Sequence, residues 1–159
     1  MDTIALPPKL VHLFSLRCAV EAPVDIGQGP YGQRRCVPIA SGQVHGPHAQ
    51  GQVLPGGADF MLVEENQTTH VNANYVVKTD DGAFLYIHTE GTRAGSPEIL
   101  QALMTGGDVD DRQYWFHLHV KIETGHEKYK WMNDRVIVGR ATRTPGEVAY
   151  DAYYLENTF

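Results

Sequence analysis

A chain of 159 residues, 42% hydrophobic and 20% charged, has the size and composition of one soluble globular domain around one substantial core. Thirteen basic against nineteen acidic side chains give a net charge of −6. The sequence has no basic run or stripe, which argues against nucleic acid and anionic membrane surfaces as partners.

The dominant hydrophobic period is two. Leu10, His12, Phe14, Leu16, Cys18 and Val20 alternate with Val11, Leu13, Ser15, Arg17 and Ala19, the pattern of one long half-buried strand. Gly27-Gln-Gly-Pro-Tyr-Gly32 reads as a turn, followed by a strand over 35–40. Glycine and proline are dense between Gly42 and Gly57, which excludes a helix there and predicts turns. Strands are then predicted over 58–65, 71–79 and 83–89, the last two joined by an Asp80-Asp81-Gly82 hairpin turn. Ser96-Pro97-Glu98 predicts a helix start, with serine as cap, proline in the first position and the acid facing the positive end of the dipole. Ile99, Leu100, Leu103 and Met104 supply its apolar face, and Gly106-Gly107 its stop. Strands over 114–123, 135–141 and 148–155 follow, with a helical turn near 129–133 and a Thr144-Pro-Gly146 turn before the last strand.

These elements predict an all-β, mainly antiparallel fold. The expected form is a single closed or nearly closed β-barrel of about eight to ten strands over residues 1–159, with one or two short helices. A barrel of that size can hold one small ligand in its mouth. The N-terminal residues lack the pattern of a signal peptide and no window is long and apolar enough to span a membrane, so a cytoplasmic protein is expected. Cys18 and Cys36 are too few for a disulfide framework and read as small buried hydrophobes. The first strand and the aromatic tail Tyr150-Asp-Ala-Tyr-Tyr-Leu155 offer either core or an exposed edge for a homodimer.

Chemistry has few places to reside. Asp59 precedes the apolar run Phe60-Met-Leu-Val63, where burial can raise a carboxylic acid into the range of proton transfer; the simpler reading is a turn aspartate bonded to its own backbone. On the strand over 114–123, His117, His119 and Glu123 share one face and resemble the first metal motif of cupins. The bracketing glycines and a second histidine motif are missing, so no metal is expected. No nucleophile elbow and no phosphate-binding glycine loop are present, which removes covalent catalysis and nucleotide cofactors. A polar and aromatic set remains: Arg34, Arg35, Asp59, Tyr75, His88, Glu123, Trp131 and Asn133. Inside an apolar barrel such a set fits acid–base chemistry, plain ligand binding, or structural hydrogen bonding.

Several blocks occur together: Gly51-Gln-Val-Leu-Pro-Gly-Gly-Ala-Asp59, Asn74-Tyr75, Thr79-Asp-Asp-Gly82 and Tyr129-Lys-Trp-Met-Asn133. With them the chain resembles, over nearly its whole length, the domain-of-unknown-function family 3237, the UPF0311 group. The resemblance implies a small β-barrel akin to allene oxide cyclase and dirigent proteins, and a fungal biosynthetic setting. It also implies cofactor-free ring closure or isomerisation of a hydrophobic aromatic substrate of polyketide or terpenoid origin. On that reading Asp59 is the acid, Tyr75 or His88 relays the proton, and Arg35, Glu123, Asn133 and Trp131 hold the substrate. A non-catalytic carrier of the same kind of molecule is the alternative, and a cupin-like metalloenzyme the third. Asn74 and Phe60 depart from the family pattern, where a basic residue and tryptophan are common, and are expected to resize the pocket.

Overall fold

A computed structural model describes residues 2–159. Its elements are β1 (Lys9–Val20), β2 (Val24–Gly29), β3 (Gly32–His45), β4 (Gly51–Val53), β5 (Ala58–Val63), β6 (Thr69–Thr79), β7 (Phe84–Ala94), α1 (Pro97–Met104), β8 (Trp115–Glu123), β9 (Ile137–Thr144) and β10 (Glu147–Glu156). Every strand pairing is antiparallel. The strands run in the order β1-β10-β9-β8-β7-β6-β4-β3, and β3 pairs back to β1, so the sheet closes into a barrel. The mainly antiparallel β-barrel expected from the alternation is the observed fold.

β3 serves two sets of neighbours. Ser41–His45 lies against β1 and Gly42–Val44 against β4, whereas Gln33–Pro38 lies against β5, with β2 on its other side. Of the turns predicted between Gly42 and Gly57, a bend at Gly46–His48 and a turn at Pro55–Gly56 are observed, while residues 42–45 and 51–53 are strand. The glycines there serve close approach: a Cβ on Gly42 would collide with the carbonyl oxygen of Arg17, and one on Gly51 with that of Lys78. Turn chemistry is observed where the sequence signals are shortest. Gly82, at φ +90°, donates its N–H to the Thr79 carbonyl at 2.9 Å, and Pro145-Gly146 reverses the chain between paired Thr144 and Glu147 with Gly146 at φ +73°.

Alternation decides which side chains enter the barrel. Leu85 and Ile87 of β7, Phe116 and Ile122 of β8, and Phe14 and Leu16 of β1 are fully or almost fully buried, each contributing roughly 1.5–3 kcal/mol of apolar transfer energy. Cys18 joins this core as a free thiol, and Cys36 is half-buried and also free. β1 pairs with β10 over nearly its full length and with β3 on its other side, and Tyr150 and Tyr154 are buried. Neither β1 nor the aromatic tail is therefore an exposed edge; β2, with mostly exposed residues, is the strand left with one open side.

The register defines two barrel ends. At one, Val63 pairs with Thr69, Ala94 with Trp115 and Thr144 with Glu147. Helix α1 connects β7 toward β8 here. Ser96 Oγ accepts the Ile99 N–H at 3.3 Å, Leu100 and Leu103 are buried, and Gly106 at φ +80° ends the helix. At the other end, a 3₁₀ turn over Lys130–Asp134 follows β8 and inserts Met132 into the core. Among the described residues no helix is long and apolar enough to cross a membrane.

Candidate functional site

A cavity of about 60 Å³ lies inside the barrel toward its α1 end. Its deep wall includes Leu16, Ile39, Tyr75 and Tyr150, all buried, while Val20, Asp59, Arg143 and Val148 are half-buried. That gradient marks the α1 end as the mouth. The inward row of β5 is Asp59, Met61 and Val63, so the acid at the start of this strand points into the barrel by the same alternation that buries its neighbours.

Asp59 accepts a hydrogen bond from the backbone N–H of Asn72 at 2.9 Å. Among the described residues no cationic side chain stands within the 4.0 Å of an ion pair to it. Burial pushes its pKa up from 3.8 to about 6, against smaller opposing effects from the Asn72 N–H, Arg93 and Arg143. The Tyr75 and Tyr150 hydroxyls meet at 2.5 Å on the deep wall. Burial raises both phenol pKa values well above 10, and burial followed by the Glu147 charge lifts the Cys18 thiol to about 12. At neutral pH these groups are neutral, so Asp59 is the cavity carboxyl able to exchange a proton near physiological pH.

Two cations share the mouth with Asp59. Arg93, on the inward row of β7 with Thr89, is 3% exposed, and Arg143 continues the inward row of β9 after Ala141. Neither was singled out from the sequence. The signal was available, because extending the period-two pattern from Leu85, Ile87 and Thr89 to Arg93 places the guanidinium inside. Desolvation lowers the Arg93 pKa to about 10, assisted by the Arg143 charge, and it lowers that of Arg143 as well. Both remain charged at pH 7.

The residues expected from the sequence divide between this cavity and elsewhere. Asp59 and Tyr75 line it. Arg35 lies on the same inward row of β3 as Val37, whose partner is Asp59, and its Nη1 reaches the Met104 sulfur of α1 at 3.9 Å across the mouth. His88 does not join them. It alternates with the inward Ile87 and Thr89, and its ring nitrogens face Asn74 Oδ1 at 2.7 Å and Glu90 Oε1 at 2.9 Å on the outer surface. Glu123 is exposed at the far end of β8. Trp131 belongs to the opposite barrel end, edge-on to His48 and Tyr154. Asn133 also lies there, accepting the Thr124 N–H and donating to the Thr124 carbonyl, both at 2.9 Å. Its role is to pin that loop. Asn74 and Phe60 face outward, so their identity does not resize the cavity: Asn74 Oδ1 accepts the Tyr86 hydroxyl at 2.7 Å and Phe60 is exposed.

His117, His119 and Glu123 do share a strand face, but it is the outside of the barrel. Among the described residues no three His, Cys, Asp or Glu side chains are grouped to hold a metal ion. A larger concavity of about 730 Å³ opens over this outer surface between Phe60, His70, Trp115 and His119. It is the less suited to acid–base chemistry, because bulk water screens the charges that face it.

The family model described as "Protein of unknown function (DUF3237)" matches residues 8–155. The crystal structure of a conserved protein of unknown function from Rhodopseudomonas palustris is 33% identical, with TM-score 0.92 over 96% of this chain and all of that one. A β-barrel-like protein of Acinetobacter baumannii is 36% identical, with TM-score 0.85 over 98% of this chain and all of its own. An enzyme from Penicillium herquei, 20% identical with TM-score 0.70 over 98% of this chain and all of its own, shares the fold. The relatives at a third identity or above, UPF0311 proteins among them, are bacterial, so the fungal setting implied by the resemblance lacks support.

Proposed function

The chain belongs to the DUF3237 family, and from that premise we propose that it is a cofactor-independent isomerase or cyclase acting by general acid catalysis on a hydrophobic, aromatic substrate at the α1 end of the barrel. The observation that carries this reading is one carboxyl, Asp59, facing an otherwise largely apolar cavity with one backbone hydrogen bond and, among the described residues, no ion-pair partner. An acid still half protonated near pH 6 can protonate an alkene or enol carbon at a pH where an ordinary aspartate is ionised.

The electrons balance without any co-reactant. Asp59 gives its proton to the double bond, a hydroxyl of the same molecule attacks the resulting cation, and the proton lost from that oxygen returns to the carboxylate. One C–O bond and one C–H bond form, one π bond and one O–H bond break, and the mass is unchanged. The paired hydroxyls of Tyr75 and Tyr150 supply hydrogen bonds to orient the attacking oxygen. The cavity has the volume of about two liquid waters, so it receives the reacting end of the molecule. Admission of a ring requires the Arg35–Met104 contact across the mouth to open.

A panel of ortho-prenylated phenols incubated with the protein tests the reading. The expected product is a cyclic ether of unchanged mass, absent from incubations with Asp59→Asn. A phenol that binds and is recovered unaltered moves the assignment to the carrier reading, for which the same cavity would serve.

A further inference from the structure

We propose that the α1 end of the barrel contains an anion-binding subsite, built from Arg93 and Arg143 with Arg35 at the rim, that takes the ionised oxygen of a planar aromatic acid. The inference narrows the substrate class and rests on the reading of this cavity as the ligand site.

A guanidinium carries five N–H donors and is costly to bury without acceptors. Arg93 is 3% exposed, yet its side chain makes one hydrogen bond, a long 3.4 Å contact from Nη2 to Thr69 Oγ1. Its other neighbour is the Phe116 ring, whose centroid lies 5.5 Å from the guanidinium carbon. Arg143 Nε is buried and has no hydrogen-bond partner. Among the described residues neither arginine has a carboxylate within 4.0 Å. Both line the cavity that Asp59 and Tyr75 also line.

Structural arginines in this chain look different. Arg17 pairs with Glu147 at 2.7 Å and Arg112 with Asp110 at 2.6 Å, and Arg140 donates to two backbone carbonyls at 2.6 and 2.7 Å. The two inward arginines combine burial with unused donors. Arg35 adds a third positive charge at the rim, and repulsion among the cations adds to desolvation, the larger cause, in lowering the proton affinities of Arg93 and Arg143. On a chain of net charge −6, three convergent cations facing one carboxyl make a locally positive interior.

The ligand's chemistry follows from what the site lacks. The unused donors call for an oxygen with several lone pairs and a negative charge, which guanidinium binds best. The cavity admits a group of carboxylate or phenolate size, and Val20, Val148 and the Phe116 ring offer apolar contact for the ring attached to it. Below pH 6 the ionised oxygen would sit beside a protonated Asp59 carboxyl rather than against a second anion.

Calorimetric titration of the intact protein with benzoate and with benzamide, its neutral analogue of the same shape, tests the proposal. Benzoate is expected to bind at least about ten-fold more tightly, and the Arg143 Nε–H resonance is expected to shift as it binds. Arg93→Met should erase the difference between the two probes. Since a buried substitution can compromise folding, Arg143→Gln at the half-buried position provides a second variant with the same expectation. Equal affinity for the two probes in the wild type, or a benzoate preference that survives both folded variants, overturns the subsite. Acetate binding as tightly as benzoate overturns the aromatic part. Asp59→Asn should retain benzoate binding, so loss of turnover alone and loss of anion binding are distinguishable failures.

Discussion

The two ends of this barrel each contain an aspartate, and they treat it in opposite ways. At the Lys130–Asp134 end, Asp81 accepts hydrogen bonds from the Thr79 hydroxyl at 2.5 Å, from Lys128 Nζ at 2.9 Å, and from the Tyr129 hydroxyl at 2.9 Å to both oxygens. These bonds, Thr79 first, hold its pKa well below the usual carboxylate range. At the α1 end, Asp59 has one backbone N–H, and burial pushes its pKa up to about 6. Satisfied polar groups and the buried Met132 give one end a purely structural character. Unsatisfied groups held against desolvation give the other the character of a site, since such groups persist only where the rest of the fold carries their cost.

The largest effect that would break this contrast is catalytic. Asp59→Asn should lower turnover of an active prenylphenol by about 10²–10⁴-fold while circular dichroism stays unchanged. In the wild type, the rate should fall about ten-fold per pH unit above pH 6, as the acid loses its proton. Substitutions at the other end should cost stability and leave chemistry alone. Met132→Ala, at a position with no exposure, should lose about 2–5 kcal/mol in urea denaturation with benzoate affinity intact.

Next in size is the pH dependence of stability, where the two acids have opposite signs. The raised pKa of Asp59 means that its proton is held more tightly in the folded chain. Its contribution is complete below pH 3.8 and is lost as pH rises through about 6, a change of up to about 3 kcal/mol. Asp59→Asn should therefore stabilise the protein above pH 6 and remove that slope. The depressed pKa of Asp81 contributes stability above pH 3.8 that is lost as pH falls toward its lower folded value. Asp81→Asn should flatten only the acid limb of the urea-midpoint profile. The smallest effect is expected for Tyr129→Phe, which removes the hydroxyl shared by the Asp81 oxygens and should cost roughly 1–2 kcal/mol.

Alternation made the barrel legible, because period two buries one face of each strand and hydrogen bonding then favours closure. The Ser96 cap and the Asp-Gly and Pro-Gly turns were legible because their geometry is local. Asp59 was legible for the same reason, standing in phase with Met61 and Val63. Arg93 and Arg143 were missed when their strands were ended at Thr89 and Ala141, short of the observed Ala94 and Thr144. His88 and Glu123 could have been sent outward by phase, since Ile87 and Ile122 beside them are buried. Trp131 and Asn133 could not. Which barrel end receives a loop depends on strand order and register, and those are set by pairings remote in sequence, such as β3 with β1. Between Gly42 and Gly57 the turns were legible and the strands at Gly42 and Gly51 were not, because close backbone approach and turning both require the missing Cβ.

Carbon-detected NMR of the aspartate side-chain carboxyl resonances, followed from pH 2 to 8, tests the contrast most directly. A midpoint near 6 for Asp59 alongside an Asp81 that stays ionised well below 3.8 is the expected result. Asp59 titrating near 3.8 would contradict it, leaving the α1 end without its acid and the barrel with two structural ends.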